Sequence, residues 1–392
     1  MSVLKSIVPK EMRDINRTAI LEYVRQNGIV SRSAIASDLN LNLSTIVRII
    51  DELMEDKLLR MSGEFEFSGG RRRPLIEIDN SHNVIISVGI GGTKASVALC
   101  DILGNILEIK TINNHHCTGE SCIKLVESLI DDMFPFVENR ILRGISVGVP
   151  GVVRDNKVLA APSVGWDNLP LGIYLQEKYP YPILVENDVN LEALGELWFG
   201  HGRTSSNLIY IHIGTGIGMG IILDRCILRG AHNGAGELGY GMFDRSDLLH
   251  RYPGFGALES TIGGYGLGER AKEILKDSLN TEELASITAR DVFRYAELNA
   301  PWAVNMVEEF IDKLSMALVN VNTLFDPDLI VLGGGVMKSG NNYMEQILNK
   351  VTDKTPNPIF MKSSELEQPV ILGGCAGIQQ RILKYCVVKD TL

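Results

Sequence analysis

Glu186-Asn187-Asp188-Val189-Asn190 is the segment where chemistry is most readily placed. It follows the apolar run Ile183-Leu184-Val185, so Asn187 and Asp188 fall at a strand end, where α/β proteins seat ligand-binding and catalytic groups. A carboxylate there can take the proton of a sugar hydroxyl and orient its oxygen for attack. It can equally cap the helix read over Leu191–Leu197, and the residues leave both roles open.

Three glycine loops, each after an apolar strand, point to anion chemistry. Gly91-Gly92-Thr93-Lys94 follows Val84–Gly89 and precedes a second strand, Ala95–Cys100. Gly214-Thr215-Gly216-Ile217-Gly218 follows Ile209–Ile213 and precedes Met219–Leu223 in the same pattern, which reads as an internal duplication. Strand, glycine turn, strand lets backbone N–H groups face a phosphate with no side chain between. Gly333-Gly334-Gly335 ends a third strand, Leu329–Leu332, after a long helix read over Trp302–Leu324 and stopped by Asp326-Pro327. Strands alternating with helices require an α/β fold, and the repeated loops suggest two lobes with a ligand cleft.

A different chemistry occupies the N-terminus. Helices are expected over about Asp14–Asn27 (Ile15, Ala19, Ile20 and Val24 inward), after Ser31 (Ile35 and Leu39 inward), and after Asn42 or Ser44 (Ile46, Val47, Ile50, Leu53 and Met54 inward). The last two, joined by Asn40-Leu41-Asn42, make a helix-turn-helix. Its second helix would offer Ser44, Thr45 and Arg48 to phosphates or base edges. Leu58–Met61 and Glu64–Phe67 can pair as a wing. Arg71, Arg72 and Arg73, after Ser68-Gly69-Gly70, supply phosphate or minor-groove contacts from a linker.

Length and composition set limits. At roughly 150 residues per domain, the 392 residues imply two or three domains. The chain is 45% hydrophobic and 22% charged, ordinary for a globular protein. Its net charge of −10 hides an uneven distribution. Residues 1–75 hold 12 Lys and Arg against 10 Asp and Glu, a net +2, and the remainder carries −12. DNA binding is therefore expected of the head alone. No apolar run approaches the roughly 20 residues of a membrane helix, and no signal peptide is recognisable. Six scattered cysteines without a C-x-x-C pair fit free thiols and a cytoplasmic location.

Together these segments resemble the ROK family of sugar kinases and sugar-responsive repressors. The resemblance spans nearly the whole chain and in layout favours the repressor branch, with its xylose-repressor-like and N-acetylglucosamine-repressor-like proteins. It rests most on Glu186–Asn190, Gly214–Gly218, Gly234-Ala235-Gly236-Glu237-Leu238-Gly239 and Asp326-Pro327 through Gly335. It implies a winged helix-turn-helix with an Arg-rich linker over 1–79, followed by a two-lobed actin-like ATPase fold. The first α/β lobe would comprise 80–186 plus about 377–392. The second, 187–376, would carry the sugar cleft and a dimerisation surface. Asn187, Asp188, Glu237 and Glu259 would hold sugar hydroxyls, Gly91–Lys94 and Gly214–Gly218 phosphates, and Gly333–Gly335 an adenosine region.

The sequence departs from the family in several places. The Asp that begins the family's first phosphate loop is Gly89, which removes a carboxylate that would help hold Mg²⁺. The family's zinc-binding His is Tyr240, and its three Cys positions fall on His250, Tyr252 and Ala257. Four N or S ligands are thus not assembled, so no structural zinc and no required cofactor are expected. Tyr240 would instead contact the sugar or close part of its pocket, and Ser163 stands where an Asn often precedes Gly-Trp. The expected function is a sugar-responsive repressor of carbohydrate-utilisation genes that binds double-stranded operator DNA as a homodimer or higher oligomer. The alternative is an ATP- and Mg-dependent sugar kinase with Asp188 as general base.

Overall fold

The computed structural model describes residues 9–68, 71–114, 117–252 and 254–383. They form two compact units, Met1–Glu186 with Gly374–Leu392, and Asn187–Gly373.

The first unit begins with a small head: α1 (Pro9–Asn27), β1 (Val30–Ser31), α2 (Arg32–Asp38), α3 (Leu43–Glu55), β2 (Leu59–Ser68) and β3 (Arg71–Ile78). Ser31 starts α2 by accepting the Ala34 N–H at 3.3 Å. Asn42 occupies the cap position of α3 in extended backbone, without a side-chain cap bond, so Ser44 lies inside the helix. Ile46, Ile49, Ile50 and Leu53 of α3 are fully buried against Ile20, Val24, Ile35 and Ile76. Each such side chain contributes roughly 1.5–3 kcal/mol by leaving water. Val47, expected inside, is exposed, because the buried stripe passes through Ile49 instead.

The wing also differs from expectation. Leu58–Met61 and Glu64–Phe67 do not pair with each other; Leu59–Ser68 is one strand, irregular between Met61 and Phe65. Its partner is β3, with Phe65 opposite Pro74 and Phe67 opposite Arg72. Arg71–Arg73 therefore belong to a wing strand, not to a linker. The partner strand Arg71–Ile78 carries the apolar pair Leu75-Ile76, and burying Ile76 in the head core decides the register.

The rest of this unit is built on β4 (Asn83–Ile90), β5 (Lys94–Asp101), β6 (Ile106–Asn113), α4 (Gly119–Val137), β7 (Ile141–Val149), β8 (Val152–Arg154), β9 (Lys157–Ala161), β10 (Trp166–Leu169), α5 (Leu171–Lys178) and β11 (Ile183–Asn187). The main sheet has the order β11-β7-β4-β5-β6, with β4 antiparallel to β5 and parallel to β7. β4 is buried along almost its whole length, as a central strand must be.

The second unit repeats that sheet plan. It contains α6 (Asp188–Phe199), β12 (Leu208–Ile213), β13 (Ile217–Leu223), β14 (Cys226–Ile227), α7 (Ala257–Ile262), α8 (Gly264–Leu275), α9 (Thr281–Ser286), α10 (Ala289–Glu297), α11 (Pro301–Phe325), β15 (Leu329–Gly333), α12 (Gly335–Gly340), α13 (Met344–Val351) and β16 (Met361–Ser363). The order is β14-β13-β12-β15-β16, again a meander followed by parallel strands. α11 ends where Asp326 turns left-handed at φ +43, ahead of Pro327. α14 (Pro369–Leu383) closes the described chain and passes from the second unit into the first at Gly373–Gly374.

Candidate functional site

In the head, α3 presents Leu43, Ser44, Val47 and Arg48 to solvent, with Thr45 half-buried behind them. Its C-terminal half is acidic, which would repel phosphates. There Arg32 pairs with Asp51 at 3.1 Å, Arg13 with Glu52 at 2.8 Å and Arg17 with Asp56 at 2.5 Å. The N-terminal half is thus the face able to meet DNA. Leu43 was not singled out in the sequence and Val47 was expected inside; exposed apolar groups at such positions suit thymine methyls. On the wing, the Arg72 guanidinium stacks over Phe65 at 3.5 Å from the ring centre. Arg73 donates to Ser33 Oγ at 3.0 Å. Gly69, Gly70 and the Arg71 side chain lie outside the described residues.

The first glycine loop is tightened by Gly91 N–H donating to the Lys94 carbonyl at 2.8 Å. The buried Asn114 holds it from outside, donating its backbone N–H to the Thr93 carbonyl at 3.0 Å and its side-chain amide to the Gly91 carbonyl at 2.6 Å. Lys94 begins β5 and is exposed. Gly89 lies in β4 opposite Ser96 and Gly148, so no carboxylate occupies that place.

The second loop uses its carbonyls in the same inward manner. Gly214 O accepts from Gly264 N–H at 2.7 Å, Thr215 O from Tyr265 N–H at 3.0 Å, and Gly216 O from Gly214 N–H at 3.0 Å. The N–H groups of Thr215 and Gly216 have no partner among the described residues. A loop with occupied carbonyls and free amides is suited to an anion.

Beside it stands the acidic face of α6. Asn187, not Asp188, caps this helix, its Oδ1 accepting Asn190 N–H at 2.9 Å. The helix consequently starts at Asp188, earlier than Leu191. Asp188, Glu192 and Glu196 follow at four-residue spacing and share one face. Gly218 and Gly220 let α6 lie close on β13: a Cβ there would stand 2.8 Å from Val189 and 2.6 Å from Ala193. Glu192 bonds His212 Nδ1 at 2.6 Å, with Glu192 8% and His212 29% exposed. Burial opposes the His212 cation, but Glu192 outweighs it and lifts the pKa to about 9. Burial, then the charge of Glu192, raises Asp188 to about 7. Glu196 accepts from Ser364 Oγ and from His201 N–H, and burial raises its pKa. Sequence reasoning missed Glu192 and His212. The carboxylate spacing was legible, whereas a histidine inside an apolar strand gives no local hint of its partner.

The remaining sugar candidates lie on the Gly234–Glu259 segment. Gly236 has φ +99, and a Cβ would sit 1.8 Å from the Met219 carbonyl, which accounts for glycine in this motif. Both Glu259 oxygens are engaged, Oε1 by Ile217 N–H and Oε2 by Gly256 N–H, each at 2.8 Å. It ties the second glycine loop to the start of α7, leaving lone pairs rather than a free carboxylate for a hydroxyl. Glu237 and Tyr240 are exposed, and partial desolvation together with Glu259 raises both pKa values. Gly333–Gly335 form the turn from β15 into α12, with Gly334 at φ +94.

The positions that the resemblance aligns with zinc ligands are engaged in other contacts. Tyr252 donates to Asp247 Oδ1 at 2.8 Å, while Asp247 Oδ2 accepts the N–H groups of Phe243 and Asp244 at 2.9 Å each. One carboxylate organises this loop. His250 is exposed and bonds the Ser246 carbonyl through Nδ1 at 2.8 Å. Among the described residues, no cluster of three or more His, Cys, Asp or Glu could hold a metal. Among them, too, no helix is long and apolar enough to cross a membrane.

The chain belongs to the ROK family, whose sequence model matches residues 85–380. A xylose repressor of Caldicellulosiruptor bescii is 27% identical over 380 residues, covering 93% of this chain and 95% of that one. The fold matches a crystal structure of a ROK family transcriptional regulator, a homologue of the E. coli MLC protein. The TM-score is 0.82 at 23% identity, over 97% of this chain and 100% of the other. A ROK family glucokinase from Streptomyces griseus, in complex with glucose and AMPPNP, matches with a TM-score of 0.63 at 25% identity. That match covers 76% of this chain and 99% of the kinase.

Proposed function

We propose, with membership of the ROK family as premise, that the chain is a sugar-responsive transcriptional repressor of carbohydrate-utilisation genes. Residues 1–79 bind double-stranded operator DNA, with α3 (Ser44, Thr45, Arg48) in the major groove and the wing (Arg71, Arg72, Arg73) on the backbone. Residues 80–186 with about 377–392 form the first lobe of the body, and 187–376 the second. Asn187, Asp188, Glu237, Tyr240 and Glu259 receive the sugar. The protein acts as a homodimer in the cytoplasm, so the operator has two half-sites. The observation that carries this reading is the head, where an exposed Ser44–Arg48 face adjoins an acidic half neutralised by three arginines. The names of its relatives make D-xylose the first sugar to test.

Footprinting with and without D-xylose, D-glucose and N-acetyl-D-glucosamine tests the reading. Sequence-preferring, salt-sensitive protection that one sugar alters supports it; no such protection refutes it. The free Thr215 and Gly216 amides favour a second reading, an ATP-dependent sugar kinase with Asp188 as general base. Gly89 weighs against it, since no carboxylate there can help hold Mg²⁺. ADP release that requires sugar and vanishes in Asp188→Ala would reverse the ranking.

A further inference from the structure

The recognition helix is bonded to the body at the end opposite its DNA face. Three successive carbonyls emerge at the C-terminus of α3, where Lys57 turns left-handed at φ +56. Arg143 Nη2 donates to Asp56 O at 2.5 Å, Asn83 Nδ2 to Lys57 O at 2.5 Å, and Asp79 N–H to Leu58 O at 3.0 Å. Arg143 Nε also donates to Asn83 Oδ1 at 2.5 Å, and Asn83 Nδ2 to Asp79 O at 2.7 Å. Asn83 is fully buried. A cation at a helix C-terminus is further favoured by the helix dipole.

Asn83 opens β4, and Arg143 lies near the start of β7. These strands are adjacent and parallel, paired from Asn83–Ile141 to Gly89–Gly148. Their other ends run into Gly91–Lys94 and into Pro150-Gly151, and β11, which lies beside β7 in the same sheet and is entered where Ile145 N–H donates to Pro182 O at 2.9 Å, ends at Asn187. At about 3.3 Å per residue, the two ends are roughly 20 Å apart. Ile382 packs on the head's apolar cluster as a second attachment. A head on a slack linker would need neither the Arg143 bond to Asp56 nor the Asn83 bond to Lys57.

We propose that Arg143 and Asn83 are positioning residues that transmit the sugar-bound state of the body, through β4 and β7, to the angle of the recognition helix. This rests on the repressor reading above. A ligand shifts operator affinity only if it favours one of two arrangements, and a rigid joint makes the helix part of that choice.

The test uses the full chain and an operator selected by the wild type from random duplex DNA. The sugar is the one of D-xylose, D-glucose and N-acetyl-D-glucosamine that gives the largest thermal shift. Its effect is read as the ratio of operator Kd with and without sugar. In Arg143→Met the thermal shift is expected to persist while the ratio falls to within about twofold of unity. Arg143→Lys should retain an intermediate ratio. A wild-type ratio in Arg143→Met overturns the proposal. If that variant does not fold, a wild-type ratio in Arg143→Lys overturns it and a reduced one supports it. Absence of any sugar effect in the wild type itself instead refutes the repressor reading.

Discussion

Sugar affinity should rise steeply across neutral pH, and Glu192 should set where. Asp188 is held at about 7 by burial and by Glu192. If its carboxylate receives a sugar hydroxyl, binding follows the ionised fraction. With a pKa of about 7, that fraction is about one eleventh at pH 6 and ten elevenths at pH 8, so affinity should rise about tenfold. Glu192→Gln removes the largest upward influence on Asp188 after burial. His212 then loses its partner, and burial discharges it, so its downward influence on Asp188 disappears as well. Glu192 is the stronger of the two, so the midpoint moves to lower pH and the gap in affinity between pH 6 and pH 8 narrows. Isothermal titration with the sugar at three pH values, in buffers of different ionisation enthalpy, reads both the affinity and the proton released. A flat wild-type profile between pH 6 and 8, or an unchanged profile in Glu192→Gln, would refute the reasoning.

Other consequences concern stability and DNA. His212 has a folded-state pKa of about 9 against 6.5 unfolded, so its contribution is fully present below pH 6.5 and is lost as pH rises through 9. It amounts to roughly 3 kcal/mol at most, and urea unfolding at pH 6 and 9.5 should show a loss that Glu192→Gln abolishes. Gly236→Ala meets both a left-handed backbone and the Met219 carbonyl and should cost at least about 2 kcal/mol in the same assay. Arg48→Ala and Arg72→Ala should each weaken operator binding and flatten its log–log salt dependence by about one, measured by fluorescence anisotropy. Ile50→Ala should destabilise the head by about 2–5 kcal/mol, seen as loss of DNA binding on heating before sugar binding is lost.

Much of the scaffold was legible because its signals are local. Ser31 caps α2, and Asp326-Pro327 stops α11, through properties of those residues alone. The glycine loops were legible for the same reason: a strand, a turn and a strand announce themselves in sequence order. The wing was not, because Glu64–Phe67 and Arg71–Ile78 both alternate well enough to be strands. Only the burial of Ile76 in the head selects the partner. Val47 and Ile49 are both apolar, and helical periodicity alone tolerated either on the inner face. In the site, Asn187 and Asp188 were named, but the division of labour between cap and carboxylate depended on backbone geometry. The Glu192–His212 pair bridges a helix and a strand 20 residues apart. No spacing rule reports such a contact. Glu259 was read as a sugar ligand, and its two backbone partners come from loops folded onto it.

The duplicated sheet plan explains how one chain can keep ligand chemistry and DNA control apart. β4 and β7 in the first unit correspond in topology to β12 and β15 in the second. Each pair ends at a glycine loop. Their beginnings differ. Ahead of β12 and β15, Asp328 Oδ2 closes the sheet end by accepting the N–H groups of Ser206 and Asn207 at 2.8 Å each. At the matching end of β4 and β7, Asn83 and Arg143 reach outward to the carbonyls of α3. The second copy instead carries the carboxylates of α6 and His212 against its strands. If the sugar is received at Asp188, ligand recognition and helix positioning need not compete for the same side chains. A substitution at Glu192 should move sugar affinity without touching operator affinity in its absence, and one at Arg143 should leave sugar binding in place and reduce its effect on operator affinity.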